Sequence, residues 1–115
     1  MNAWIRETDA AAKVNAGYMT LVNVGTEEVA LLNIASEAFE SIEIHEMSMD
    51  NGLMMMNEVT SLIIPANGKV QLAPGGKHLM LKGPKHHLTV GQQVDITLTF
   101  KSGIKQRVLI KVAAN

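Results

Sequence analysis

Three observations predict an all-β fold, a β-sandwich, for this chain. Turn signals recur about every 8–12 residues, the segments between them alternate apolar and polar residues, and no stretch carries a convincing 3.6-residue apolar period. With 115 residues there is room for one domain and one core. An α+β alternative with a helix over Thr26–Ala35 is disfavoured because that segment lacks helical periodicity. No linker, low-complexity tract or internal repeat interrupts the chain.

Taken in order, Trp4-Ile5-Arg6 reads as a short first strand. Asp9–Asn15 is small and polar and reads as a loop, with one helical turn as the alternative at Ala10–Lys13. Gly17–Val24 alternates and is rich in β-formers. The turn Gly25–Glu28 leads into a strand at Val29–Ala35, and Ser36–Glu40 reads as a loop anchored by Phe39. A hairpin follows over Glu43–Met56, then a strand at Val59–Ile64 closed by Pro65-Ala66-Asn67-Gly68. Lys69–Leu72 is a short strand, and Ala73-Pro74-Gly75-Gly76 turns the chain into Lys77–Leu81. Gly83-Pro84 is expected to break that strand. Two long strands finish the chain, Val94–Phe100 and Gln106–Val112, joined around Ser102-Gly103.

The hairpin is the most informative stretch. Residues 43–56 hold five of the eight methionines and one of the four histidines. Asn51-Gly52 is a strong two-residue turn signal, because both central positions of a type I′ turn need positive φ. Such a loop pairs Asp50 with Leu53, Met49 with Met54 and Met47 with Met56. Side chains alternate along a strand, so His45, Met47, Met49, Met54 and Met56 share one face with Glu43, while Ile42 and Ile44 point into the core. A sulfur-rich face that reaches solvent asks for a reason other than packing.

Composition removes several function classes. A net charge of −1 and only four aromatics (Trp4, Tyr18, Phe39, Phe100) argue against nucleic acid and against an anionic membrane. No cysteine is present, which excludes disulfides, thiolate nucleophiles, zinc fingers and Cys-ligated copper. No uncharged apolar run approaches the roughly 18 residues of a membrane span, so stable insertion is not expected. Met1-Asn2-Ala3-Trp4 lacks the basic and apolar regions of a signal peptide, so the chain reads as a cytosolic protein or as the mature form of an exported one.

His78-Leu79-Met80 repeats the spacing of His45-Glu46-Met47, and Leu79 and Leu81 alternate with it toward the core. Imidazole and thioether donors without thiolate suit Cu(I), a soft, closed-shell ion that accepts trigonal or tetrahedral sites. Four neutral donors leave the ion's charge uncompensated apart from nearby Glu43, Glu46 and Asp50, which favours holding copper yet releasing it to a partner's thiolates. Methionine is also a common core filler, and Met19 and Met55 are expected to be only that. Met47 and Met49 lie on the same face and are the candidate substitutes for a ligand. His86 and His87, beside Pro84, are expected to be solvated, since nothing positions them as an accessory Cu(II) site. No carboxylate–His or Ser–His pair stands out, and a closed four-ligand site leaves no substrate position, so an enzyme is not expected.

These residues resemble the periplasmic copper chaperones called PCu(A)C. The family signature is His, ten residues, Met, twenty-one residues, His, one residue, Met, and here it falls on His45, Met56, His78 and Met80 without a gap. Ala16-Gly17-Tyr18-Met19-Thr20, His45-Glu46-Met47-Ser48-Met49 and Pro74-Gly75-Gly76-Lys77-His78-Leu79-Met80-Leu81 are also similar to family segments. Met55 departs, standing where many relatives carry a polar or basic residue, and the His/Met-rich C-terminal tail of some members is missing. The resemblance implies a cupredoxin-like, Greek-key β-sandwich over residues 1–115, working as a monomer in the periplasm. It implies a non-catalytic carrier with Cu(I) on His45, Met56, His78 and Met80. The receiver it implies is apo cytochrome c oxidase subunit II or another copper chaperone. Copper storage or resistance without a dedicated receiver is the alternative, and a metal-free sandwich adhesin is the reading in which the motif means nothing.

Overall fold

The computed structural model describes residues 3–7 and 13–114, and every element among them is a strand. These are β1 (Trp4–Arg6), β2 (Val14–Asn23), β3 (Val29–Ala35), β4 (Phe39–Asp50), β5 (Leu53–Glu58), β6 (Leu62–Ile64), β7 (Gly68–Leu72), β8 (His78–Pro84), β9 (Gln93–Phe100) and β10 (Lys105–Ala113). They join in the order β5-β4-β8-β2-β1-β10-β9-β3-β6, and a further β3–β4 pairing closes the sheet on itself. β7 pairs with the outer half of β2, and β1 runs parallel to β10. The result is a flattened, closed sheet with extents of 42 × 39 × 22 Å.

Alternation builds the interior. On β9, Val94, Ile96 and Leu98 are buried while Asp95 and Thr97 face outward. Ile42 and Ile44 of β4 meet Leu81 and Leu79 of β8 in register, and all four are buried. At about 25 cal/mol per Å² of apolar surface removed from water, such inward rows are the dominant stabilising term.

Several boundaries differ from the sequence reading. Val14 and Asn15 belong to β2 and not to a loop, because they pair with Lys82 and Leu81 of β8. The helical turn at Ala10–Lys13 falls almost wholly outside the described residues. Phe39 is buried as expected, but it opens β4, and Glu40 follows it in the strand. Of Val59–Ile64 only Leu62–Ile64 is strand. Gly83-Pro84 does not break β8: Pro84 is its last residue, opposite Phe39, where a missing N–H costs no interior ladder bond. Gly83 adopts φ +65°, a left-handed conformation that favours glycine, and its Cα faces the exposed Glu40 side chain.

Candidate metal centre

The hairpin forms as its turn chemistry dictates. Asn51 and Gly52 take φ of 51° and 79°, which is the all-positive pattern of a type I′ turn. Asp50 pairs with Leu53, Met49 with Met54, Met47 with Met56 and His45 with Glu58. On the other side of β4, His45 lies opposite His78 and Glu43 opposite Met80. Residues directly opposite in an antiparallel pair share a face. Three adjacent strands therefore present one outer face bearing Glu43, His45, Met47, Met49, Met54, Met56, Glu58, His78 and Met80.

The two histidines are the centre of this face, their ring centroids 6.2 Å apart and inclined by 32°. Met47 and Met80 are half-buried, and Met56 is 49% exposed. All six residues of β5 are exposed, so the sulfur-rich arm stands clear of the core on both sides. Met19 is core filler as expected, but Met55 is not. It is exposed because β5 ends the sheet path and nothing covers its second face. Beyond β8 the outer face continues with Ala16, opposite Met80. Trp4 and Tyr18 then pack with ring centroids 4.8 Å apart and planes tilted by 42°, and the Arg6 guanidinium lies 5.2 Å from the Tyr18 ring centroid.

Each histidine is held by its own partner. His78 is buried, and its Nδ1 lies 3.1 Å from the Gly76 carbonyl oxygen. His45 Nε2 lies 2.8 Å from Glu43 Oε1, and the Lys82 ammonium reaches the same oxygen at 3.0 Å. The hydrogen bond from His45, then that from Lys82, holds the Glu43 carboxyl below the ordinary carboxylate range. His45 Nδ1 is buried with no hydrogen-bond partner. Among the described residues no three or more His, Cys, Asp and Glu side chains form a metal-holding group; the other soft donors on this face are thioethers. Glu46, on the core-side face, pairs instead with Lys77 at 3.4 Å.

Sequence reasoning brought His45, Met56, His78 and Met80 to one face, and the strand register does the same. It missed two neighbours. Glu58 opposes His45 simply by continuing the hairpin alternation, which was a readable signal. The Lys82 contact with Glu43 depends on the β4–β8 register, for which no local signal exists. His86 and His87 are exposed beyond β8, as expected. A cleft of about 640 Å³ lined by Ser36, Gln92–Asp95 and Arg107 shares no residue with the histidine–methionine face.

Comparison with known proteins adds relatives to this geometry. A family model described as "Putative lipoprotein LpqE-like" matches residues 1–112. "Putative lipoprotein Lxx21020" of Leifsonia xyli subsp. xyli is 34% identical over 111 residues, covering 96% of this chain and 66% of that one. The chain spans just under two thirds of the length of the curated relatives it matches. Among solved structures, the apo PCuAC domain from PmoF1 superposes with a TM-score of 0.83 at 27% identity, covering 99% of this chain and 91% of that one. The Cu(I) form of DR1885 from Deinococcus radiodurans gives 0.78 at 31% identity, covering 99% and 76%. The fold is all-β and cupredoxin-like, as the sequence led us to expect. No helix among the described residues is long and apolar enough to cross a membrane.

Proposed function

Since the chain belongs to the LpqE-like family, we propose that its histidine–methionine face carries copper and that the protein is a copper chaperone, not an enzyme. The observation that carries this reading is the His45–His78 pair at the centre of a face otherwise rich in thioethers. The Cu(I) ion bound by a relative at 31% identity supports it. The bound species is Cu(I), on His45, Met56, His78 and Met80. Neutral imidazole and thioether donors match a soft d¹⁰ ion that has no geometric demand beyond three or four ligands. Copper here is cargo. A site on an exposed hairpin lets an incoming partner ligand approach from solvent while the ion is still held.

The lipoprotein names carried by the family model and by the Leifsonia xyli relative, with the family resemblance, support an exported protein, and we assign its work to the periplasm. The receiver is apo cytochrome c oxidase subunit II, whose thiolates would outcompete thioethers for Cu(I). The chain acts as a single domain and a monomer.

The test is a Cu(I) titration against a competing chelator, followed by Met→Ile variants. One Cu(I) per chain is expected. Met56→Ile and Met80→Ile should each weaken binding at least about tenfold, equivalent to ~1.4 kcal/mol. Met47→Ile and Met49→Ile should cost less. Equal losses at all four positions would mean a different sulfur pair is used, and no binding at all would remove the copper reading. Transfer of the ion to the apo subunit II domain separates a chaperone from a storage protein, which would retain it.

A further inference from the structure

The two imidazoles of the centre are held by opposite nitrogens. A carbonyl oxygen only accepts, so His78 Nδ1, at 3.1 Å from the Gly76 oxygen, carries the proton and leaves Nε2 bare. An ionised carboxylate also only accepts, so His45 Nε2, at 2.8 Å from Glu43 Oε1, carries the proton. His45 Nδ1 is then a bare lone pair, buried and without a hydrogen-bond partner. A doubly protonated ring fares no better, because it would bury an N–H with no acceptor. Buried polar atoms normally find partners, and an orphan at such a place calls for an explanation. Lys82, at 3.0 Å from the same Glu43 oxygen, is a second hold on the carboxylate.

We propose that Glu43 is a positioning residue for the copper centre: with Lys82 it holds His45 by Nε2–H, so that His45 offers Nδ1 to the ion while His78 offers Nε2. The inference rests on the copper reading above. It has the form of other metal sites, where a ligating histidine donates its second ring N–H to a carboxylate or carbonyl that fixes ring orientation and raises donor strength. Here one histidine uses a carboxylate and the other a backbone carbonyl.

The experiment uses the full chain labelled with ¹⁵N-histidine and long-range ¹H–¹⁵N correlation spectra, before and after one equivalent of Cu(I). Without copper, the His45 Nε2–H should show the shift of a proton hydrogen-bonded to a carboxylate, and His78 should be protonated at Nδ1. On loading, the metal-induced ¹⁵N shift should appear at Nδ1 of His45 and at Nε2 of His78. Glu43→Leu should remove that assignment and weaken Cu(I) affinity roughly 10–100-fold, with the His78 Nδ1–H signal unchanged as proof that β8 is in place. Glu43→Gln, which keeps an accepting oxygen, should retain Nδ1 attachment and lose less. Lys82→Met is the second probe, freeing the carboxylate without altering either ring's partner, and it should weaken binding by less than Glu43→Leu. A copper-induced shift at His45 Nε2, or tighter binding by Glu43→Leu, would overturn the proposal by making Glu43 a competitor that copper displaces. If copper shifted no histidine nitrogen, the copper reading itself would fail, while the metal-free Nε2–H signal would still report the Glu43 contact.

Discussion

Replacing Gly17 by alanine tests how tightly the strand carrying His78 and Met80 is seated. Gly17 lies on β2 opposite Leu79, and a Cβ built there meets Leu81 Cδ1 at 2.9 Å and Leu79 Cβ at 3.4 Å. Both leucines are fully buried, so Leu81 has no open space to swing into. Overpacking of this kind costs about 1–3 kcal/mol. Against it stands a gain of ~0.5–1 kcal/mol, because alanine has less freedom than glycine in the unfolded chain. The two ranges leave a net loss of up to about 2.5 kcal/mol, ~1.3 kcal/mol at their middle. At ~2.1 cal/mol/K per residue, unfolding entropy for a chain of this length is about 0.24 kcal/mol/K, so Tm should fall by roughly 5 °C. Circular dichroism melts read this directly. The double variant Gly17→Ala/Leu81→Val removes the clashing methyl and should lose less than the two single changes added together, by ~0.5–3 kcal/mol. A melting point at or above the wild type's for Gly17→Ala, or strict additivity in the double variant, would refute the packing argument.

Two further outcomes are expected from other parts of the fold. Gly52→Ala puts a side chain at φ +79° with no atom within 4 Å of its Cβ, so the whole cost is the left-handed backbone, ~1 kcal/mol. Since β5 is exposed along its length, that cost should open the hairpin locally, speeding amide exchange across β4–β5 about fivefold with little change in Tm; unchanged exchange would contradict it. Asp95 is held below its ordinary carboxyl range by the hydrogen bond from Arg107, on the exposed face of β9 and β10. A folded-state value below the unfolded one gives stability that is present above the unfolded value and is lost as pH falls through the folded one. Asp95→Asn should therefore flatten the acid limb of a stability–pH profile, and parallel profiles for variant and wild type would count against the pair.

The turn chemistry and the alternation were readable because both are local. Asn51-Gly52 alone sets the β4–β5 register, and the period of two then assigns Ile42 and Ile44 inward and Glu43, His45, Met47 and Met49 outward. The errors lie where local signals are ambiguous. Gly83-Pro84 carries a breaker's composition, yet proline at the end of a strand breaks nothing, and Gly83 serves its positive φ. Met55 looks like a core methionine in any window of sequence. Its exposure follows from β5 lying at the end of the sheet path, and the order of strands is a property of the whole chain.

The same distinction divides the candidate metal centre. His45, Met47, Met56 and Glu58 are brought together by a two-residue loop, so their proximity needs only the hairpin. His78 and Met80 come from β8, beyond β6, β7 and two turns, and reach His45 and Glu43 only through the β4–β8 register. That register is set by the core: Ile42 against Leu81 and Ile44 against Leu79 make His45 the β4 neighbour of His78 on the outer face. A slip of one residue would turn β8 over and bury Met80 while exposing leucine, an exchange the closed interior forbids. The pairing of the two histidines is therefore a consequence of hydrophobic packing on the opposite side of the same strands, and any core substitution that loosens Leu79 or Leu81 acts on the outer face as well.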